Sequence, residues 1–156
     1  MFREMRRFKQ ALTQEECVEL LEKAPRGVLA VSGDNGYPYA LPLDYIYLDG
    51  ALYFHGARQG HKLDSIDRDS KVSFCVMDEG FHKEGDWALT IKSVIVFGRM
   101  ARLDDRERAL TIARRLGQKY YPTEQSVEDE LSRDFDRLQL LELKIEYISG
   151  KRVHEA

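Results

Sequence analysis

The sequence predicts a mainly β protein with peripheral helices: about six antiparallel strands in meander or Greek-key order, forming a closed or partly split β-barrel. Three observations carry this. Two tight-turn signals, Asp34-Asn35-Gly36 and Asp49-Gly50, separate β-rich runs by only a few residues and so join neighbours as hairpins. Most runs between Gly27 and Leu103 are rich in Val, Ile, Leu, Phe and Tyr, and several alternate apolar with polar positions. Connections this short exclude a doubly wound parallel sheet, whose strands need helical crossovers. Closing such a sheet on itself removes its exposed edges.

Each element has its own signal. Thr13-Gln14-Glu15-Glu16 is a capping box, and Cys17, Leu20, Leu21 and Ala24 follow at helical spacing until Pro25 stops the helix. Val28 to Val31 reads as a strand. The run from Tyr37 to Leu48 carries Pro38 and Pro42, which a fully paired central strand does not tolerate, so an unpaired or bulged segment is expected there. Ala51 to Phe54 returns as the next strand. His61 to Asp67 forms a short helix with Leu63 and Ile66 inward. Val72, Phe74 and Val76 alternate with Ser73, Cys75 and Met77. A polar loop, Asp78 to Asp86, precedes a long β run from Trp87 to Leu103. Both faces of its centre are apolar, Ile91, Ile95 and Phe97 on one and Val94 and Val96 on the other, with Leu89, Ile91, Ile95 and Phe97 read as inward and Thr90 and Lys92 as facing solvent. That pattern calls for cover from a second layer or a second subunit. A helix follows from Asp104 with Ala109, Ile112, Ala113 and Leu116 as its core stripe and Gly117 as its stop. A short acidic helix spans about Ser126 to Phe135, and a last strand places Leu141, Leu143, Ile145 and Tyr147 inward and Glu142, Lys144 and Glu146 outward. The 156 residues read as one domain, with a helical segment at about 13–25, a barrel at about 27–103 and 138–148, and a helical segment at about 104–136.

Composition removes several functions. A net charge of -3, with basic and acidic residues mixed along the chain, argues against a nucleic-acid partner. No apolar stretch reaches the roughly 20 residues that span a bilayer. No apolar signal core follows the basic N-terminus, so the cytoplasm is the expected location. The two cysteines, Cys17 and Cys75, lack metal-ligand spacing and read as ordinary thiols.

Two segments carry the chemistry. Tyr53 to Leu63 runs from an apolar strand through a turn built on Gly56 and Gly60 into a helix that begins near His61. Glycines allow close backbone approach, a helix start presents unpaired N–H groups, and Lys62 adds a positive charge, which together suit a phosphate. A solvated loop entering a helix would look the same. His55 and His61 could also be metal ligands, but no third ligand has the spacing. Pro38 to Tyr45 is the second segment: Pro42 disturbs pairing and frees backbone groups for a flat heterocycle, or simply marks an edge strand. Ser93 adds a hydroxyl within an apolar series and needs a partner, a ligand phosphate or a backbone carbonyl. No catalytic triad, carboxylate pair or P-loop is apparent from the spacing.

Gly27-Val-Leu-Ala-Val31, Gly36-Tyr-Pro-Tyr-Ala-Leu-Pro-Leu-Asp-Tyr45, Leu52-Tyr-Phe-His-Gly-Ala57, Gly60-His-Lys62, Val72-Ser-Phe74 and Ser93-Val-Ile-Val-Phe-Gly98, in this order, resemble the nitroimidazole-resistance (nitroimidazole reductase-like) family of the flavin-binding split-barrel superfamily, which also holds the pyridoxamine 5′-phosphate oxidases. The resemblance covers roughly Gly27 to Arg102 and extends to Ser149-Gly150-Lys151. It implies a six-stranded split barrel and a homodimer that binds FMN at the subunit interface. It places Leu41, Pro42, Leu43 and Asp44 along the isoalloxazine edge, and His55, Gly56 and Ala57 close to the flavin. Gly60, His61 and Lys62 would hold the phosphate, and Ser93 and Val94 would approach from the long strand. The implied activity is an FMN-dependent oxidoreductase that reduces nitroaromatic or related small electron acceptors with NAD(P)H or another reductant. His55 is the candidate for proton delivery, since its ordinary pKa lies near neutrality. A non-catalytic flavin- or haem-binding protein and a deazaflavin-dependent reductase are the alternatives on this fold. The arginine-rich phosphate clamp and arginine-histidine substrate pattern of true pyridoxamine 5′-phosphate oxidases are missing, which argues against vitamin B6 oxidation.

Overall fold

Four α-helices and eight strands, described over residues 1–155 of a computed structural model, build one mixed-order antiparallel sheet with helices packed against it. Helix α1 (Gln14–Lys23) starts at a complete capping box: the Thr13 hydroxyl accepts from the Glu16 amide and the Glu16 carboxylate accepts from the Thr13 amide, both at 3.1 Å. The strands are β1 (Gly27–Ser32), β2 (Pro38–Leu43), β3 (Ile46–Leu48), β4 (Ala51–Ala57), β5 (Lys71–Met77), β6 (Phe81–His82), β7 (Leu89–Leu103) and β8 (Leu138–Glu155). Helix α2 (His61–Arg68) links β4 to β5, and α3 (Arg106–Tyr120) and α4 (Glu124–Asp134) form a hairpin between β7 and β8.

The sheet order is β2-β1-β5-β7-β8-β4-β3, with β6 added on β7. The expected class holds, mainly antiparallel β with peripheral helices, but the strands number eight rather than six. The chain breaks at Asp44-Tyr45, which divides one expected strand into β2 and β3, and part of the 78–86 loop pairs as β6. Strands β2 and β3 are the two edges of the hydrogen-bonded path, and the chain passes directly from one to the other through Asp44-Tyr45. The sheet is therefore bridged there by covalent chain and not by a ladder.

Two apolar layers result. Inside the sheet, Leu29, Phe54, Phe74, Val94 and Leu143 pack with Cys17 and Leu21 of α1, and Phe54 meets Phe74 edge-on at 5.1 Å. On the other face, Ala51, Tyr53, Leu103 and Leu140 receive Ala109, Ile112, Ala113 and Leu116 of α3. Strands β4 and β8 are thus apolar on both sides because helices cover their outside.

Several expectations change. The prolines do not interrupt pairing: β2 pairs with β1 through both Pro38 and Pro42, and the break lies two residues on. As an edge strand, β2 has a side with no neighbour, where a missing donor costs the ladder nothing. On β7 the inward face is Thr90, Val94 and Val96, while Leu89, Ile91, Ser93, Ile95 and Phe97 lie on the other face. With apolar residues on both faces, alternation alone did not mark which one was inside. The chain's own N-terminal segment supplies part of the cover, since Phe2 stacks on Phe97 and Tyr147 at 5.3 and 5.0 Å. Gly117 does not end α3, which runs on to Tyr120. It lies at the crossing with α4, where a Cβ would stand 2.8 Å from Val127 Cγ1. Helix α4 begins at Glu124, capped by Thr123, and β8 extends to Glu155. Glu142 points away from the barrel as expected, yet it is buried: Arg108 of α3 and the Tyr53 hydroxyl both bond to its carboxylate. Among the described residues no helix is long and apolar enough to cross a membrane.

Candidate functional site at the break between β2 and β3

The end of β2, the end of β4 and the start of α2 meet at the open edge of the sheet. Pro42, Leu43, Asp44 and His55 line one groove with Arg26. The Asp44 carboxylate accepts from Arg26 Nε at 2.9 Å. Gly56 follows on β4, and Lys62 reaches back over it so closely that a Cβ on Gly56 would stand 2.6 Å from Lys62 Nζ. The missing side chain therefore creates the seat for the lysine. Gly60, at φ 144°, turns the chain into α2 without any side-chain cap, so the first amides of the helix carry no intrahelical or side-chain partner. His61 stacks on Tyr39 of β2, centroids 4.1 Å apart, which fixes the helix start against the edge strand.

The charges are unevenly matched. His61 faces Asp34 at 3.7 Å. Lys62 makes no ion pair among the described residues, and burial lowers its pKa. A half-buried ammonium with no carboxylate partner, next to free helix amides, has the chemistry that suits an anion. The His55 residue is exposed at the rim, yet desolvation by neighbouring groups lowers its pKa from 6.5, with Asp44 opposing and Lys62 assisting, which favours the neutral imidazole.

Ser93 and Val94 are not brought to this place within one chain. Ser93 lines a separate groove with Cys75, Ile95 and Lys151, below Arg6 and Arg7 of the N-terminal segment. The Val94 side chain is fully buried inside the barrel and has only backbone to offer a ligand. Ala57 is exposed at the end of β4, and Leu41 is half-buried on β2.

Other side chains around the break were not foreseen. Lys119 Nζ donates to the carbonyls of Ala24 (2.8 Å) and Tyr45 (2.9 Å). The Tyr120 hydroxyl accepts from the Tyr45 amide at 2.9 Å and donates to the Pro25 carbonyl at 2.7 Å. Burial, opposed by Asp44, lowers the Lys119 pKa to about 8. The end of a helix carries no sequence signal for the strand break that it will meet. At the far end of the sheet, Thr90, His154 and Asp86 form a hydrogen-bonded row, 3.0 and 3.1 Å. Thr90 is buried and out of reach of a substrate, so the row ties β7 to β8. Among the described residues, no three His, Cys, Asp or Glu side chains are placed to hold a metal.

Comparison with known proteins fits this geometry. The fold is shared with a candidate 5-nitroimidazole antibiotic resistance protein from Bacteroides thetaiotaomicron, 14% identical, TM-score 0.75, covering 91% of this chain and 86% of that one. A conserved hypothetical protein from Mycobacterium tuberculosis is 17% identical at a TM-score of 0.80, with 95% and 90% covered. An FAD-binding protein from Mesorhizobium loti is 28% identical at a TM-score of 0.65, with 92% and 96% covered. No curated protein sequence matches. The pyridoxamine 5′-phosphate oxidase family matches residues 13–152, nearly the whole sheet together with α1 to α4. The chain belongs to that family.

Proposed function

We propose that the chain binds FMN as a homodimer and acts as a cytoplasmic oxidoreductase that reduces nitroaromatic or related small electron acceptors, with NAD(P)H as reductant. The observation that carries this is Lys62: an unpaired, half-buried cation seated over Gly56 at an uncapped helix start. One lysine and one helix start suit a single terminal phosphate, which favours FMN over a dinucleotide. The Mesorhizobium relative is described as FAD-binding and the Bacteroides protein is linked to 5-nitroimidazole resistance, so flavin and nitro chemistry are both in keeping with the fold.

The remaining residues have roles that follow from their places. As an edge strand, β2 leaves the outward-facing backbone at Pro42 and Asp44 open to the rim of a flat ring, while that of Leu41 and Leu43 faces β1. Arg26 holds Asp44 in position. His55, neutral at pH 7, accepts a proton there and donates one only in more acidic solution. Bound FMN would supply hydride acceptance and electron delivery, which no side chain here can. Ser93 and the Val94 backbone would come from a second copy, and the exposed Ile95, Phe97 and Met77 beside them support burial of that face against it.

The test is the visible spectrum and cofactor mass of the purified protein, with added FMN if it emerges colourless. We expect flavin absorption, bleached by NADH or NADPH and restored by a nitroaromatic. No flavin and no FMN affinity would sink the reading; a flavin that never turns over would favour a binding protein.

A further inference from the structure

We infer that the cavity enclosed by α3, α4 and β4 is a ring-binding subsite that takes a small neutral or cationic aromatic ligand and rejects the anionic counterpart. Its use as the seat of the electron acceptor rests on the flavin reading above; its charge preference does not.

The cavity measures about 150 Å³. A void of this order admits one six-membered ring, whereas most gaps in protein interiors are smaller than a water molecule. Leu116 of α3 and Val127 and Leu131 of α4 give it apolar walls. Asp44, His55, Glu130, Tyr120 and Tyr121 supply its polar groups. Asp44 and His55 also line the groove at the end of β2, so cavity and groove meet at these two side chains. A ring seated here would lie beside the place where β2 offers its open edge.

The charge preference follows from what lines the wall. Asp44 and Glu130 both face the cavity, while no Lys or Arg lines it among the described residues. Their cationic partners, Arg26 at 2.9 Å and Arg133 at 2.8 Å, are not among the lining residues. His55 is exposed at the cavity rim, and desolvation by its surroundings shifts its pKa down from 6.5, so it adds no fixed positive charge to the wall. An anionic ring would meet two carboxylates and no cation in the wall to receive it, whereas a ring bearing N–H donors finds acceptors.

Benzoate, benzamide and benzamidine share one ring and differ in charge, so they serve as probes in calorimetric titrations of the full chain with and without FMN. We expect benzamide and benzamidine to bind about tenfold or more tightly than benzoate. Glu130→Gln, at a half-exposed position, should narrow that gap about threefold. Leu131→Trp should fill the cavity and abolish benzamidine binding. Equal affinity for all three probes, or undiminished benzamidine binding by a folded Leu131→Trp protein, overturns the inference. Ring selectivity retained in a protein that fails to bind FMN would sink the flavin reading and leave this one standing.

Discussion

Lys62 and Gly56 act as a pair: the amine occupies the space that a side chain on Gly56 would fill. Replacing Lys62 with Ala should weaken FMN binding by about tenfold to a hundredfold, the worth of one charge-assisted hydrogen bond of about 1.5–3 kcal/mol. The urea midpoint should stay put, because Lys62 makes no ion pair within the chain. Unchanged FMN affinity would remove the phosphate assignment. His55 is neighbour to this pair, and burial shifts it toward the neutral form. A step that uses protonated His55 should therefore speed up as pH falls through a value below 6.5, and His55→Gln should flatten that profile. An inflection above 6.5 that vanishes in the variant would contradict the burial argument. The glycine turn and Lys62 were legible in the sequence because both are local. The reach of Lys62 back over β4 was not, because it depends on how α2 leans on the sheet.

At the scale of elements, the break between β2 and β3 is held by the end of α3. Lys119 and Tyr120 take up the carbonyls of Ala24, Pro25 and Tyr45 and the amide of Tyr45, backbone groups that no ladder satisfies there. Lys119 has a folded pKa near 8 against 10.5 for a free lysine, so the folded chain gives up this proton before the unfolded chain does. Its contribution to stability is full above about 10.5 and is lost as pH falls through about 8. Wild type should thus gain stability relative to Lys119→Met between pH 8 and 10.5, measured as paired melting temperatures; a pH-independent difference would refute the assignment. The helix itself was visible from its stripe of Ala109, Ile112, Ala113 and Leu116. Its true end was not: Gly117 looked like a stop, yet it serves the close crossing with Val127 of α4.

For the whole molecule, the question is what covers the outer face of β7. Ile95 is 38% exposed and Phe97 37%, the latter under Phe2. The sequence showed two apolar faces on this strand, which is why the inside could not be read from alternation. If a second copy covers the face, Ile95→Glu should give a monomer by sedimentation velocity, with FMN affinity falling alongside. A dimer that survives the substitution would place the interface elsewhere. The two groups of residues implied by the family resemblance, one at the β2 break and one at Ser93, then belong to a single site only in the assembly.

The sequence by itself determined the antiparallel class, the Thr13 capping box, the glycine turn ahead of α2 and the apolar positions of β5, all set by neighbours within a few residues. Only the tertiary structure decided which face of β7 is inside, that Glu142 is buried under Arg108, that β2 remains an edge, and that α3 and α4 enclose a cavity against Asp44 and His55. The physical reason is range. Turns, caps and periodicity are settled by local backbone geometry, whereas burial and charge pairing are settled by which distant element arrives to cover a surface.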